Sequence, residues 1–450
     1  MWLHRQLKNK WSGLLFKAFI FTLPFQSSLF VYETVWGRGF SNPYTTLNLS
    51  ISELFLLCAS LLFFLENRTK VLNLGKKVLF LCLLSALGLG AFSLLISPVS
   101  DPILKFLELI GLLEVLLIYL LVVNKILKVN EIFKTLTWSM SLQALLAISQ
   151  LLLGHSLGLG FLGEPSLSTS TAHLAKLDLG SWPLIRSYGT FAHPNILGGF
   201  LAMSILGTLL YPPESNRTRN LLLLIQLLGL ICSFSRSALF ALILGILILS
   251  YRSVPLIKEK YSRFVSYGIF LLMAAEIAVL ILTRPLPLST DPAVQSRIEG
   301  YERASEIIME HPFGVGWHLE TLFLDENPNH TWMPWEYQPT HNIFLLLWVE
   351  TGPQGLLAFL SLLFFTTKKL LEHEKILGTH HEESKKNFFF SMGLIVLSIG
   401  LLDHYWLTLE PALFLAALLF SSISRFLSDP IPIKAIKKAK KLKPILDSPK

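Results

Sequence analysis

Apolar residues come in runs of roughly 15 to 25 along most of this chain, close to the roughly 20 that a helix needs to cross bilayer hydrocarbon. The runs predict spans at 12–31, 48–65, 77–97, 103–123, 132–153, 190–211, 219–235, 237–251, 264–283, 341–367, 387–403 and 406–426. The expected fold class is all-α: a polytopic membrane protein of about twelve transmembrane helices, with a partly helical outer loop between the ninth and tenth. The first run starts basic, as a signal peptide does. No small-residue cleavage site follows it, so it is read as the first span. One integral membrane domain is expected over 1–450, with a long extracytoplasmic loop at 284–340 and a basic cytoplasmic tail at 427–450.

The loop charges agree with this alternation. About 29 of the 38 Lys and Arg fall in the N-terminus, the tail and the loops 66–77, 124–134, 212–220, 251–263 and 368–386. The other side carries Arg38, Lys176, Arg186, Arg236, Arg284, Arg297 and Arg303. Positive residues stay cytoplasmic, which places both termini inside and the loops 154–189 and 284–340 outside.

Composition narrows the class. Hydrophobic residues make up 52% and charged residues only 15%, against about 25% charged in a soluble domain. The net charge of +8 comes mostly from lysines between 434 and 443. Beside a final span these read as attraction to anionic membrane lipids, not to nucleic acid. Cys58, Cys82 and Cys232 lie in or beside spans without metal spacing or a disulfide framework, and read as buried thiols.

The cytoplasmic loops offer no catalytic set, so candidate chemistry lies on the outer face. Arg236 sits in Cys232-Ser233-Phe234-Ser235-Arg236-Ser237, between the apolar runs 221–231 and 238–249. Each run with its flanks gives roughly 15 residues, or roughly 22 Å of helix against roughly 30 Å of hydrocarbon. Helices that short meet below the membrane surface, where a buried cation requires something negative to meet it. The plainer reading is a loop arginine that snorkels to the interface.

In the outer loop, Asp291-Pro292 predicts a helix start, and Val294, Ile298, Tyr301, Ala304, Ile307 and Ile308 recur at helical spacing through 310. Arg297 shares the face of Ile298 and Tyr301, whereas Arg303 lies on another, within reach of Glu299. The helix should stop at His311-Pro312, followed by the turn Phe313-Gly314-Val315-Gly316-Trp317. Trp317, Trp332, Trp335 and Tyr337 read either as an interfacial belt or as platforms for sugar faces.

Thr340 is the expected N-cap of the next span, which places His341 in its first turn. The positive end of that helix favours a neutral imidazole, suited to accepting a proton. A capping-turn histidine with no role is the alternative. Between Arg186 and Asn195, Gly189, His193 and Pro194 break the start of another span, and backbone freed there is tolerated only against protein or a water-filled cavity. An ordinary helix start with an interfacial Arg and His is again the alternative. Arg186, Arg236 and Arg297 have a common explanation: the planar guanidinium fork recognises phosphate, and a lipid-linked diphosphate would sit where they converge. No paired acidic residues with metal-ligand spacing occur outside, so no metal or other cofactor is expected, and arginines would neutralise the charge instead.

At these residues the chain resembles the O-antigen ligase and O-antigen polymerase superfamily, multi-span bacterial glycosyltransferases of the GT-C type. The matching pieces run in the family's order: Arg186-x-x-Gly-Thr-Phe-x-x-Pro-Asn, Ser235-Arg236-Ser237-Ala238, Arg297 through His311-Pro312-x-Gly-Val-Gly, His341-Asn342, Glu350-x-Gly352-x-x-Gly355, and Asp403-His404-Tyr405. The resemblance implies that Arg236 and Arg297 hold the diphosphate, with Arg303 replacing Arg297 as the alternative because the spacing to Arg236 is short. It implies that His341 deprotonates the acceptor hydroxyl and that Arg186 belongs to the diphosphate site. Tyr301, His193, Asn195, Asn342, Trp317 and Trp335 are then expected substrate contacts.

The implied donor is an undecaprenyl-diphosphate-linked glycan. The implied acceptor is another glycan, a lipid core or a protein, reached at the outer face of the bacterial plasma (inner) membrane. Transfer is expected to invert configuration without metal, with a ligase favoured over a polymerase. A flippase or transporter of lipid-linked sugars would share the twelve-span frame. Here, however, the polar groups crowd one face and the two halves show no similarity. A non-catalytic scaffold would have little need of a histidine at a helix start facing several arginines.

Overall fold

A computed structural model of the protein describes residues 10–33, 46–168, 174–178, 183–213, 215–252, 274, 292–326, 337–374 and 380–429. Helix α1 (Lys10–Thr22) stops short of Pro24, and the Thr22 hydroxyl bonds back to the Ala18 carbonyl. The span expected over 12–31 is therefore corrected: its second half is the strand β1 (Ser28–Glu33), paired antiparallel with β2 (Thr46–Ser50). Proline blocks helix continuation, and Leu29, Phe30 and Val31 extend instead. A second short hairpin joins β3 (Lys176–Asp178) to β4 (Pro183–Ile185). These two hairpins qualify the all-α expectation.

Two of the early helices begin where short polar side chains cap them. Ser50 and Glu53 form a reciprocal capping box at the start of α2 (Ile51–Glu66). After α3 (Lys77–Ile96), Asp101 caps α4 (Pro102–Val123) through the Leu104 amide at 2.9 Å. Helix α5 (Val129–Leu153) ends at Gly154 with φ +73°. Three further apolar helices follow: α6 (Pro194–Leu210), α7 (Asn216–Ser233) and α8 (Arg236–Arg252). The loop helices α9 (Pro292–Glu310) and α10 (Glu320–Glu326) precede α11 (Ile343–Glu374), α12 (His380–Gly400), the single turn α13 (Tyr405–Thr408) and α14 (Glu410–Ser428).

Among the described residues, α3, α4, α5, α11 and α14 are long and apolar enough to cross a membrane. The other expected spans coincide with shorter or more polar helices, α1, α2, α6, α7, α8 and α12. The span expected at 264–283 lies outside the described residues except for residue 274, as do Trp332, Trp335 and the tail from 430.

Helix α6 is the axle of the bundle. It packs on α5, α7, α8 and α12 and is buried on nearly every side. Phe200 and Leu201 from α6 join Phe19, Met140, Phe388, Met392, Ile395 and Trp406 in the main core. A helix apolar all round belongs in such a position, and burying it fixes where its N-terminus lies.

The segment after α9 docks on α11 through backbone. Val315 N donates to Val349 O at 2.9 Å and Gly316 N to Glu350 O at 2.8 Å. Gly314 (φ +93°) and Gly352 (φ +69°) face each other's chains there, and a Cβ on Gly314 would fall 2.5 Å from Glu350 O. Both positions thus need glycine for conformation and for space. The two glycine motifs, far apart in sequence, form one joint.

Candidate active site

The loop before α6 is held from beneath by two buried glutamines of α5. Gln150 Oε1 accepts from Tyr188 N (3.0 Å) and Gly189 N (2.8 Å), and Gln143 Oε1 accepts from Thr190 N (3.0 Å). His193 caps α6, its Nδ1 accepting from Asn195 N at 3.2 Å, and Pro194 follows at the first helical position. Arg186 donates Nε to Ser233 O at 2.9 Å and Nη2 to Asn195 Oδ1 at 2.8 Å. One guanidinium therefore ties the start of α6 to the end of α7.

Between α7 and α8 the chain reverses at Phe234, which adopts φ +47°. Arg236 opens α8, half-buried. The turn sits against Gly198 of α6, where a Cβ would lie 2.7 Å from the Ser235 Cβ. Helices α7 and α8 have 18 and 17 residues, so the break is less deep than the sequence implied. At roughly 1.5 Å per residue each still falls short of roughly 30 Å of hydrocarbon. Burial and the neighbouring Arg236 charge lower the Arg186 pKa to about 10, partly offset by Tyr188 and Asp403. Arg186 remains a cation at neutral pH.

The break between α12 and α14 enters the same place. Asn195 Nδ2 donates to Asp403 Oδ2 at 3.1 Å, and Tyr405 OH donates to Asn195 O at 3.3 Å. Gly199 makes room for Tyr405, since a Cβ there would stand 2.1 Å from the phenol oxygen. His404 pairs Nδ1 with Thr408 Oγ1 at 2.7 Å, and its ring meets the His341 ring edge to face at 4.9 Å.

The expectation for Thr340 is corrected. Its hydroxyl and amide both donate to the Glu320 carboxylate, at 2.6 and 2.9 Å. Asn342 caps α11 instead, its Oδ1 accepting from Phe344 N (2.9 Å) and Leu345 N (3.2 Å). His341 therefore lies just before the cap and not in the first turn. The buried Glu320 takes the threonine and leaves the cap to Asn342.

The loop helix α9 closes the cluster. Tyr301 OH donates to His341 O at 3.3 Å, and Arg297 Nε to Leu402 O at 3.2 Å. Asn342 Nδ2 donates to Leu401 O at 3.3 Å. Arg303 lies near enough for its charge to act on both His341 and Glu320. The structure thus gathers Arg186, Arg236, Arg297, Arg303, His193, Asn195, Tyr301, His341 and Asn342 around Asp403 and His404. Trp317 stands apart, stacked on His318 at 4.6 Å and 8% exposed. Asp403 and His404 were noticed in the sequence only as a late motif. A polar Asp-His-Tyr between two apolar runs was the signal that they belonged.

The charges in this cluster follow from burial and from the guanidiniums. Burial lowers the His341 pKa, Arg297 and Arg303 lower it further, and Asp403 opposes them. Burial and Arg186 take His193 down to about 4. Burial and the adjoining His341 take His404 down to about 3. Burial works against the Asp403 carboxylate, but His404, His341, His193 and the Asn195 amide outweigh it, and the carboxyl lies below its usual range. Neutral imidazoles, one carboxylate and surplus guanidiniums make a site for an anion with a proton acceptor beside it. His341, Asp403 and His404 bring ligand atoms within 4.8 Å of one another and could hold a metal. The arginine charges around them oppose a cation there.

No curated protein matches the chain. A family model described as O-antigen ligase matches residues 221–360, a stretch that holds Arg236, Arg297, Arg303 and His341. Arg186, Asn195, Asp403 and His404 complete the cluster from outside it. Over that stretch the chain is similar to the O-antigen ligase family, whose members are glycosyltransferase-like ligases or polymerases, and its long apolar helices fit a membrane protein of that kind.

Proposed function

We propose that the protein transfers a glycan from undecaprenyl diphosphate to an acceptor hydroxyl at the outer face of the bacterial plasma membrane, as a ligase, with both termini cytoplasmic. The observation that carries this reading is the placing of Arg297 and Arg303 beside the uncharged, half-buried His341, with Arg186 and Arg236 next to each other across Asn195 and Asp403. Arg236, Arg297 and Arg186 grip the diphosphate, and Arg303 assists from the same loop helix. Their fixed charges stabilise the negative charge that grows on the leaving group. His341 takes the proton of the acceptor hydroxyl as its oxygen bonds to the anomeric carbon. The bond from that carbon to the phosphate oxygen breaks, and undecaprenyl diphosphate leaves from the opposite face. One displacement inverts configuration and needs no cofactor.

An apolar cleft of about 260 Å³ supports a lipid-linked donor. Its upper wall holds Trp406, Leu407 and Ile343, chain neighbours of Tyr405 and Asn342, and it descends between α11, α12 and α14 to Ile423. A polyprenyl tail in this cleft would present its diphosphate to the arginines.

Purified protein in vesicles, given an undecaprenyl-diphosphate-linked oligosaccharide, tests the reading. Free undecaprenyl diphosphate together with a transferred glycan is the expected result, and it should persist through exhaustive chelation. Movement of intact glycolipid across the vesicle without cleavage would make the protein a flippase. Activity lost to chelation and restored by a divalent ion would assign the His341, Asp403 and His404 group to a metal. A product built from repeats of the donor glycan would identify a polymerase.

A further inference from the structure

A second cavity, of about 240 Å³, opens beside this cluster. Glu108, Trp317, His318, Thr321, Glu350 and Thr408 are among its walls, which also include apolar side chains of α4 and α14. Two buried polar atoms on residues that line it, Glu350 Oε2 and Thr321 Oγ1, have no hydrogen-bond partner among the described residues, and those residues are 1% and 2% exposed. Buried polar atoms in folded proteins are nearly always satisfied, so a pair of orphans on one cavity points to something that enters it.

The chemistry of the walls says what enters. His318 is fixed as a cation: Nδ1 donates to Glu108 Oε2 at 2.8 Å and Nε2 to Leu407 O. Burial opposes the charge, the Glu108 carboxylate outweighs it, and the pKa rises to about 9. The residue holds φ +58°, a strained backbone for a side chain of this kind. A standing imidazolium discourages a metal ion, and about 240 Å³ has room for roughly eight waters' share of volume, far more than one cation needs. What fits is a neutral, hydroxyl-rich ligand with one apolar face. The buried Glu350 carboxyl and the Thr321 hydroxyl exchange hydrogen bonds with its hydroxyls, and an indole edge and aliphatic walls cover its carbon skeleton.

We propose that this cavity binds one sugar ring of a glycan substrate, its hydroxyls meeting Glu350 Oε2 and Thr321 Oγ1. The inference rests on the glycosyltransferase reading for which glycan it is. The cavity adjoins the reaction centre through Thr408, which lines it and bonds His404 at 2.7 Å, and His404 packs on His341. Pro339 and Ala192, two residues and one residue ahead of His341 and His193, line it as well. A ring held here lies one layer of side chains from the proton acceptor.

The test uses full-length protein in nanodiscs and two glycolipid fractions from a bacterium that makes it: the undecaprenyl-diphosphate-linked glycan and the remaining envelope glycolipids. Glu350→Gln and Thr321→Val should each raise the half-saturating concentration of one fraction roughly tenfold, the scale of one lost hydrogen bond to a charged or buried group, with kcat within about threefold. Whichever fraction shifts identifies the ring as donor or acceptor. Unchanged half-saturation for both fractions, or a fall in kcat alone, would overturn the proposal. Electron cryo-microscopy of the wild-type protein with each fraction covers variants that fail to fold. Ring-shaped density in the cavity supports the proposal, and ordered waters alone overturn it. If the wild-type protein cleaves no donor, the transferase reading fails while the density still decides the cavity.

Discussion

His341 and His404 meet edge to face, with ring centroids 4.9 Å apart and planes at 84°. His404 is itself anchored, by Thr408 on its ring and by Asp403 Oδ1, which accepts from its backbone amide at 2.9 Å. On the proposed mechanism, the His341 ring is thus aimed by a neighbour that is itself held on two sides. His404→Phe keeps that surface and should retain kcat within about threefold. His404→Ala removes it and should cost on the order of a hundredfold, the scale of a misplaced catalytic group. Steady-state transfer kinetics separate the two. Equal losses would mean that the imidazole nitrogens of His404, and not its shape, are what matter.

Burial, Arg297 and Arg303 hold His341 below the ordinary histidine value of 6.5, against the pull of Asp403. A base works in its deprotonated form, so activity is present above this pKa and is lost as pH falls through it. The acid limb of kcat/KM should therefore lie below pH 6.5. Arg303→Gln removes one nearby cation and should move that limb upward. A limb at or above 6.5 in the wild-type protein would contradict the assignment of His341 as base.

Asn195 joins opposite charges, accepting from Arg186 at 2.8 Å and donating to Asp403 at 3.1 Å. Asn195→Asp has the same shape but loses the donor and sets two carboxylates against each other. It should reduce transfer more than Asn195→Ala does, with Ala itself costing about tenfold through a loosened Arg186. Transfer rates of the two variants at equal membrane levels check the order. An Asp variant as active as wild type would remove the bridge from the site.

The elements with strong periodic signals were legible in sequence. The loop helix over 292–310 begins and ends where Asp291-Pro292 and His311-Pro312 said it would, and the α7–α8 break falls at Ser235. Less legible was anything decided by a distant partner. Glu320 captures Thr340 and so passes the cap of α11 to Asn342. Pro24 turns half of an apolar run into a strand. Buried Gln143 and Gln150 look like unremarkable polar positions within a span until the loop before α6 is seen resting on them. Asp403 and His404 carried only a motif's worth of signal, because nothing local says that the end of α12 returns to the start of α6.

Gly199 faces the Tyr405 hydroxyl, and a Cβ there would lie 2.1 Å from it. Gly199→Ala should destabilise the protein by about 1–3 kcal/mol, the usual scale of overpacking, and displace the neighbouring Asp403. Adding Tyr405→Phe removes the clashing oxygen and should recover much of the loss. Thermal unfolding in detergent of the two single variants and the pair measures this coupling. Simple additivity would mean that the close approach relaxes elsewhere.

The most direct measurement is the rate of undecaprenyl diphosphate release from a lipid-linked glycan by reconstituted wild-type, His341→Ala and Arg236→Lys proteins, each verified to insert normally. His341→Ala should lose at least about a hundredfold, the usual contribution of general base catalysis. Arg236→Lys should also be severely impaired, because a point charge cannot grip phosphate oxygens as a fork does. Wild-type rates in both variants would contradict an arginine-held diphosphate with His341 as its proton acceptor.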